Sequence, residues 1–236
     1  MKFLHENGYR SISLDEAVKA ISQPQNRKRS VVITFDDGYQ DFYTDAFPIL
    51  ETYGFGATMF ITSGRTSDRH ACLGSKEFMT WEQIRYIHAH GIKIGSHTVS
   101  HPQLCDLPTL SVASEIGNSK QTIEDKLGCA VESFSYPFAF PEHNQGFIRI
   151  IKDLLQTHGY KNGVCTTIGT ASREHDVFFL PRLPANSHDD VSLYRAKLEG
   201  SYDWLHLLQR LYKRFLKRRR TTTIESEPET SLLNQL

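Results

Sequence analysis

Two short segments concentrate the side chains most able to do chemistry. In Thr34-Phe35-Asp36-Asp37-Gly38 an apolar run ends in adjacent carboxylates and a glycine. The glycine permits a sharp turn, so both carboxylates can reach one cavity. Two close carboxylates are hard to keep ionised together unless a cation lies nearby. One of the pair therefore suits a metal and the other suits accepting a proton, a division these residues alone leave unassigned. The second segment, His97-Thr98-Val99-Ser100-His101, spaces two imidazoles four residues apart. A helical coil there would present both to one ion. One carboxylate and two histidines leave coordination positions open for water and substrate. Taken singly, the first segment also reads as a solvated Asp-Gly turn and the second as two surface histidines. Together they favour a metal site.

Such groups need elements to position them. Residues 31–35, 58–62, 92–96 and 133–136 read as buried strands, with 164–168 and 177–180 as further candidates. Between them lie helices with start signals: Ser13-Leu14-Asp15-Glu16 and Thr80-Trp81-Glu82-Gln83 are both capping boxes. Residues 110–127 and 147–158 show helical apolar spacing and stop at Gly128 and Gly159. Alternating strands and helices predict an α/β fold on a parallel sheet, open or closed into a barrel. Sites in such folds form at the C-terminal ends of strands, where both segments fall. The chain opens inside a helix at Phe3-Leu4 and runs through Gly8-Tyr9 into a strand, so a strand preceding it could be missing.

With these pieces in order, the sequence resembles the polysaccharide deacetylase family, the NodB-homology carbohydrate esterases. Thr34-Phe35-Asp36-Asp37-Gly38 and His97-Thr98-Val99-Ser100-His101 are similar to its first two motifs, and Ser133-Phe134-Ser135-Tyr136-Pro137-Phe138 resembles its third. The approaches match too, from Ala46-Phe47-Pro48 through Gly56-Ala57-Thr58-Met59-Phe60-Ile61, and from Trp81 to Gly91. The likeness covers about residues 1–185. It implies a distorted (β/α) barrel of seven or fewer strands and a divalent ion, usually zinc. By position, Asp37, His97 and His101 would be its ligands and Asp36 the general base. The implied reaction is hydrolysis of an N-acetyl group on a polysaccharide or sugar. The tetrahedral oxyanion would be stabilised by the metal and a backbone N–H near Phe138.

The sequence departs from the family pattern in two places. Many members carry an arginine at the start of the third motif to orient the catalytic aspartate; here that position is Ser135. Arg182, in Pro181-Arg182-Leu183, is the candidate replacement. No clean Leu-x-His motif supplies the family's general acid, and His188 and His206 are the late candidates. His206 lies in an amphipathic helix and reads as a packing or surface residue, whereas the His188 loop could face the mouth. Tyr136, Pro137 and Phe138 are candidate substrate contacts. The displaced arginine and Tyr136-Pro137-Phe138 resemble the exopolysaccharide branch, making exopolysaccharide biosynthesis the expected setting. Alternatives are a catalytically weak or inactive carbohydrate-binding relative, or a hydrolase of another acyl or non-peptide C–N substrate.

Bulk composition bounds these readings. With 236 residues, 39% hydrophobic and 23% charged, the chain suits one soluble globular domain. Its formal net charge is zero, which gives no overall field favouring nucleic acid or membrane. Cys72, Cys105, Cys129 and Cys165 form no C-x-x-C motif and are expected to be reduced. No apolar run reaches membrane-spanning length, and the first residues lack the apolar core of a signal peptide. The chain as given is thus expected in the cytoplasm, or outside it if the N-terminus is truncated. A monomer acting on an N-acetylated saccharide is expected. The catalytic domain is placed at residues 1–216, followed over 217–236 by a disordered tail, basic and then polar.

Overall fold

Short β-branched and aromatic runs, each followed by a helix or turn, build a parallel sheet of six strands. The computed structural model describes residues 1–22, 29–68, 72–73 and 76–201. Across the sheet the strands run Leu180–Arg182, Asn162–Ile168, Ser133–Ser135, Lys93–Ser96, Thr58–Ile61 and Thr34–Phe35. Every neighbouring pair is parallel. This is the expected distorted (β/α) barrel, realised as a six-stranded half-barrel. The amphipathic helix expected to carry His206 lies beyond the described residues, as does the 217–236 tail.

Both faces of the sheet are covered, which explains the continuous apolar runs. Thr58–Ile61 is buried at every position. Its Met59 and Ile61 belong to the outer layer, with Ile84 and Ile87 of helix Trp81–Ala89, Val112 and Ile116 of helix Thr109–Leu127, and Ile151 and Leu155 of helix Gln145–Thr157. Phe60 points the other way and joins Val164, Leu180 and Leu14 in a small interior cluster. Gly95 sits opposite Phe60 on the neighbouring strand, and a Cβ there would lie 2.4 Å from the Phe60 ring. The large ring thus occupies the space its neighbour's side chain gives up.

Local signals act as the sequence indicates at the helix starts. Ser13 and Glu16 exchange capping hydrogen bonds, as do Thr80 and Gln83. Two strands differ from expectation. The 31–35 run is split: Ser30–Val31 pairs with Arg10–Ser11, and only Thr34–Phe35 joins the main sheet. The 177–180 run begins as a turn, because the Asp176 carboxylate accepts the Phe178 N–H at 3.0 Å and is itself held by Lys152 at 2.6 Å. The strand therefore starts at Leu180 and carries Arg182 at its end. Pro181 is tolerated because this is an edge strand.

The outermost strands, Leu180–Arg182 and Thr34–Phe35, share no backbone ladder among the described residues. A side chain joins them instead: Arg182 donates to Thr34 Oγ1 at 3.2 Å and to the Asp36 carboxylate just beyond. Behind this seam, helix Val191–Leu198 packs Tyr194 edge-on against Phe3 of helix Lys2–Glu6. Cys105, Cys129 and Cys165 are free thiols. No helix among the described residues is long and apolar enough to cross a membrane.

The Gly95–Phe60 pairing gives a direct test. Gly95→Ala should destabilise the fold by about 1–3 kcal/mol, since the added methyl meets an aromatic ring and the Ser133 carbonyl. Gly56→Ala, whose Cβ would meet nothing nearer than 3.8 Å, should change stability by less than about 0.5 kcal/mol. Thermal unfolding of the two variants checks both.

Candidate functional site

Three chain segments leave the C-terminal ends of strands and meet at one mouth. Each makes its turn through a strained residue. Among the described residues, the non-glycine positions with positive φ are Asp37 (74°), Thr98 (68°), His101 (60°) and Phe138 (57°). All belong to these segments. Such conformations cost on the order of 1–3 kcal/mol each and persist only where the surroundings over-determine them. The two imidazoles converge without a helix at His97–His101. The segment is a tight loop, and its left-handed Thr98 and His101 turn the two imidazoles towards each other with ring centroids 4.8 Å apart.

The loop is held from outside. The Glu115 carboxylate accepts the N–H groups of Val99 and Ser100 at 2.8 and 2.9 Å and the Ser100 hydroxyl at 2.8 Å. Ser119 donates to the Thr98 carbonyl at 2.9 Å, and the Ser63 and Gly64 N–H groups bond Thr98 and Val99. Arg65 donates to the Ser100 carbonyl at 3.1 Å. Glu115, Ser119 and Arg65 belong to no sequence motif. The only available signal was the position of Glu115 and Ser119 beside the Val112–Ile116–Ile123 apolar stripe of their helix.

Asp37, His97 and His101 place one donor atom each within 4.8 Å of one another. The Asp37 carboxylate lies 3.5 Å from His97 Nε2 and 3.3 Å from His101 Nε2. Ligands about 2.1 Å from a shared zinc ion would lie about 3.4 Å apart in a tetrahedron, so these residues fit a divalent ion. His97 is buried, and its Nδ1–H donates to the Ser135 carbonyl at 2.7 Å. That bond leaves the Nε2 lone pair facing Asp37. Burial, then the charges of His97 and Arg65, push the His101 pKa down against the pull of Asp37. A neutral imidazole is the form that can coordinate.

Asp36 sits beside this trio but turns to a different partner. Arg182 grips both its oxygens, Nη1 at 2.9 Å and Nη2 at 2.7 Å, in a bidentate pair. The guanidinium also donates to Thr34 Oγ1, to the Cys165 carbonyl at 3.2 Å and to Ser135 Oγ at 3.3 Å. Ser135, the position at which the family resemblance leads one to expect an arginine, thus lies against Arg182, which comes from another strand. Burial raises the Asp36 pKa, but Arg182, aided by His97 and the Ser135 hydroxyl, outweighs it and holds the carboxyl below its usual range.

The remaining candidates divide. Phe138 is half exposed, with its ring edge-on to His101 at 4.4 Å. Its loop is fixed by Thr166, which donates to the Phe138 carbonyl and accepts the Phe140 N–H. Tyr136 and Pro137 are buried and offer no face to a ligand; Tyr136 packs against Phe140 at 5.0 Å. His188 is exposed in the turn before helix Val191–Leu198. No hydrogen bond or ion pair among the described residues ties it to Asp36, Asp37, His97 or His101. His206 lies outside the described residues.

Two substitutions probe these supports. Arg182→Lys keeps the charge but cannot span both Asp36 oxygens and Thr34. It should cost about 2 kcal/mol in thermal unfolding, more than the 0–1 kcal/mol typical of a surface pair. Glu115→Ala should weaken zinc binding about tenfold, read by competition with a chelating dye, because it frees the loop that carries both histidines.

Comparison with known proteins identifies the family. The profile of the polysaccharide deacetylase family matches residues 23–162. A Bacillus subtilis (strain 168) protein, YxkH, whose name places it among polysaccharide deacetylases, is 34% identical over 201 residues, covering 85% of this chain and 67% of that protein. An Escherichia coli (strain K12) poly-beta-1,6-N-acetyl-D-glucosamine N-deacetylase is 34% identical over 107 residues, but these are 41% of this chain and 16% of that enzyme. Among solved structures, the Streptococcus pyogenes deacetylase PplD in complex with acetate superposes with a TM-score of 0.73 at 26% identity over 84% of each chain. IcaB from Ammonifex degensii shares the fold, with a TM-score of 0.65 at 20% identity over 84% of this chain and 86% of that one. The chain belongs to the polysaccharide deacetylase family.

Proposed function

We propose that the chain hydrolyses the N-acetyl group of an N-acetylated saccharide, with Asp36 as general base and a divalent ion, zinc in the first instance, held by Asp37, His97 and His101. The observation that carries this reading is the pairing of two unlike sites side by side. Asp37, His97 and His101 converge on one point, while Asp36, one residue away, is kept ionised by Arg182. A divalent ion held there would supply Lewis acidity to the acetamide carbonyl and to the attacking water.

The protein's own residues do the rest. With both Asp36 oxygens already accepting from Arg182, the carboxylate has a fixed direction and spare lone pairs, so it can take a proton from the water without swinging. The same arginine keeps Asp36 a weak base. A weak base returns its proton readily, and Asp36 is the group that holds one when the sugar amine departs. In this scheme the acid role expected of His188 passes to Asp36. The Phe138 N–H, at the tip of its strained turn, is the candidate donor to the developing oxyanion. The exposed Phe138 ring, rather than Tyr136 or Pro137, offers an apolar face to the sugar. An N-acetylglucosamine polymer is the first substrate to try, in view of the Escherichia coli relative's name.

Metal analysis and acetate release test the reading together. Purified protein should hold about one zinc per chain, and chelation should abolish acetate release from N-acetylglucosamine oligomers. Asp36→Asn should retain the metal yet lose at least about a thousandfold in kcat, in the range seen when a general base is removed. Full metal with no acetate from any acylated saccharide would instead favour a binding relative without turnover.

A further inference from the structure

Arg65 is a guanidinium with an unmet need. It follows strand Thr58–Ile61 in a turn pressed against the histidine loop, so close that a Cβ on Gly64 would lie 2.7 Å from the Val99 carbonyl. One of its N–H groups bonds the Ser100 carbonyl, next to His101, and its charge is felt at the His101 ring. The side chain is partly buried, yet no carboxylate lies within ion-pair distance of it among the described residues. Arg182, by contrast, is saturated by Asp36, Thr34, Ser135 and Cys165. A partly desolvated cation without a protein counter-charge keeps capacity to bind an anion that reaches it.

A second cation lies on the same flank. The Arg65 guanidinium is 5.8 Å from the Phe78 ring, Phe78 stacks on Tyr39 at 4.9 Å, and Lys76 Nζ is 4.4 Å from the Tyr39 ring. Tyr39 itself follows the Asp37-Gly38 turn. Lys76 also lacks a carboxylate partner among the described residues. An arginine fork held beside the mouth suits planar oxyanion recognition, and an outlying lysine adds field rather than geometry.

We infer that Arg65, supported by Lys76, forms a subsite for an oxyanion carried by the saccharide, a carboxylate or a phosphate ester, beside the acetamide to be hydrolysed. This rests on the deacetylase reading above and narrows its substrate to acidic glycans. Arg65 would select substrate and take no part in proton transfer.

Calorimetry on the full zinc-loaded chain tests it with three probes: a neutral N-acetylglucosamine tetramer, the same tetramer carrying a carboxylate ether, and one carrying a phosphodiester. At least one acidic tetramer should bind about tenfold tighter than the neutral one at low salt, and the difference should shrink at high salt. Which acidic probe wins identifies the oxyanion. Arg65→Gln should remove the preference, whereas Arg65→Lys, which keeps the charge but not the fork, should retain part of it. A purely structural Arg65 would leave the acidic-to-neutral ratio unchanged in both variants. Equal affinities in the unaltered protein, an unchanged ratio in Arg65→Gln, or equally Arg65-dependent binding of free acetate would overturn the assignment. Acetate release measured in parallel reads the deacetylase function separately, so a preference without turnover would sink that function and not the oxyanion subsite.

Discussion

One ion pair ties the architecture to the chemistry. Among the described residues the sheet has two edge strands that do not pair, and the guanidinium of Arg182 spans the gap between them to reach Thr34 and Asp36. Elsewhere in the sheet, backbone hydrogen bonds hold neighbouring strands together. Here a side chain does so, and the group it holds is the carboxylate beside the candidate metal ligands. Orientation of Asp36 and closure of the half-barrel are therefore one interaction. Because the pair is mostly shielded from water and bidentate, it is worth more than an exposed ion pair, and losing either member would leave the other's charge without its counter-charge.

The second constraint is backbone strain gathered in one place. Asp37, Thr98, His101 and Phe138 all adopt a conformation that glycine would adopt more easily. Each is held there by groups outside the mouth: Ser119 and Glu115 on one helix, Thr166 on a strand, and Met79, which donates to the Gly38 carbonyl. The helices are thus more than a cover for the sheet. Helix Thr109–Leu127 packs its apolar stripe into the core and turns Glu115 and Ser119 to the loop that carries both histidines.

Much of this was legible in the sequence, for identifiable reasons. The buried strands announce themselves because apolar residues run on without alternation, and capping boxes mark helix starts through short-range bonds that need no tertiary context. Asp36, Asp37, His97 and His101 could be picked out because their spacing is local. Arg182 was reachable only through the family resemblance, since nothing around Pro181 reveals that it faces a residue near the other end of the chain. Glu115 and Arg65 were invisible, because each acts on a backbone group supplied by a distant loop. Where local reading failed, a tertiary partner had intervened. The loop at His97–His101 takes its shape from the bonds of Glu115 and Ser119, and the 177–180 strand was overridden by the turn that Asp176 and Lys152 impose.

The separation of Asp36 and Arg182 along the chain has a consequence for how the molecule comes into being. They are 146 residues apart, among the most distant hydrogen-bonded pairs described. Asp37, His97 and His101 come from strands that pair early in the chain order, and their ends can meet once Thr34–Phe35, Thr58–Ile61 and Lys93–Ser96 have assembled. Loop-closure entropy makes contacts of long sequence separation slower to form. An emerging or partly folded chain could thus gather its three metal ligands while the edge strand bearing Arg182 is still loose. It would have a place for an ion before it had an aligned base, and competence would arrive only with the last strand.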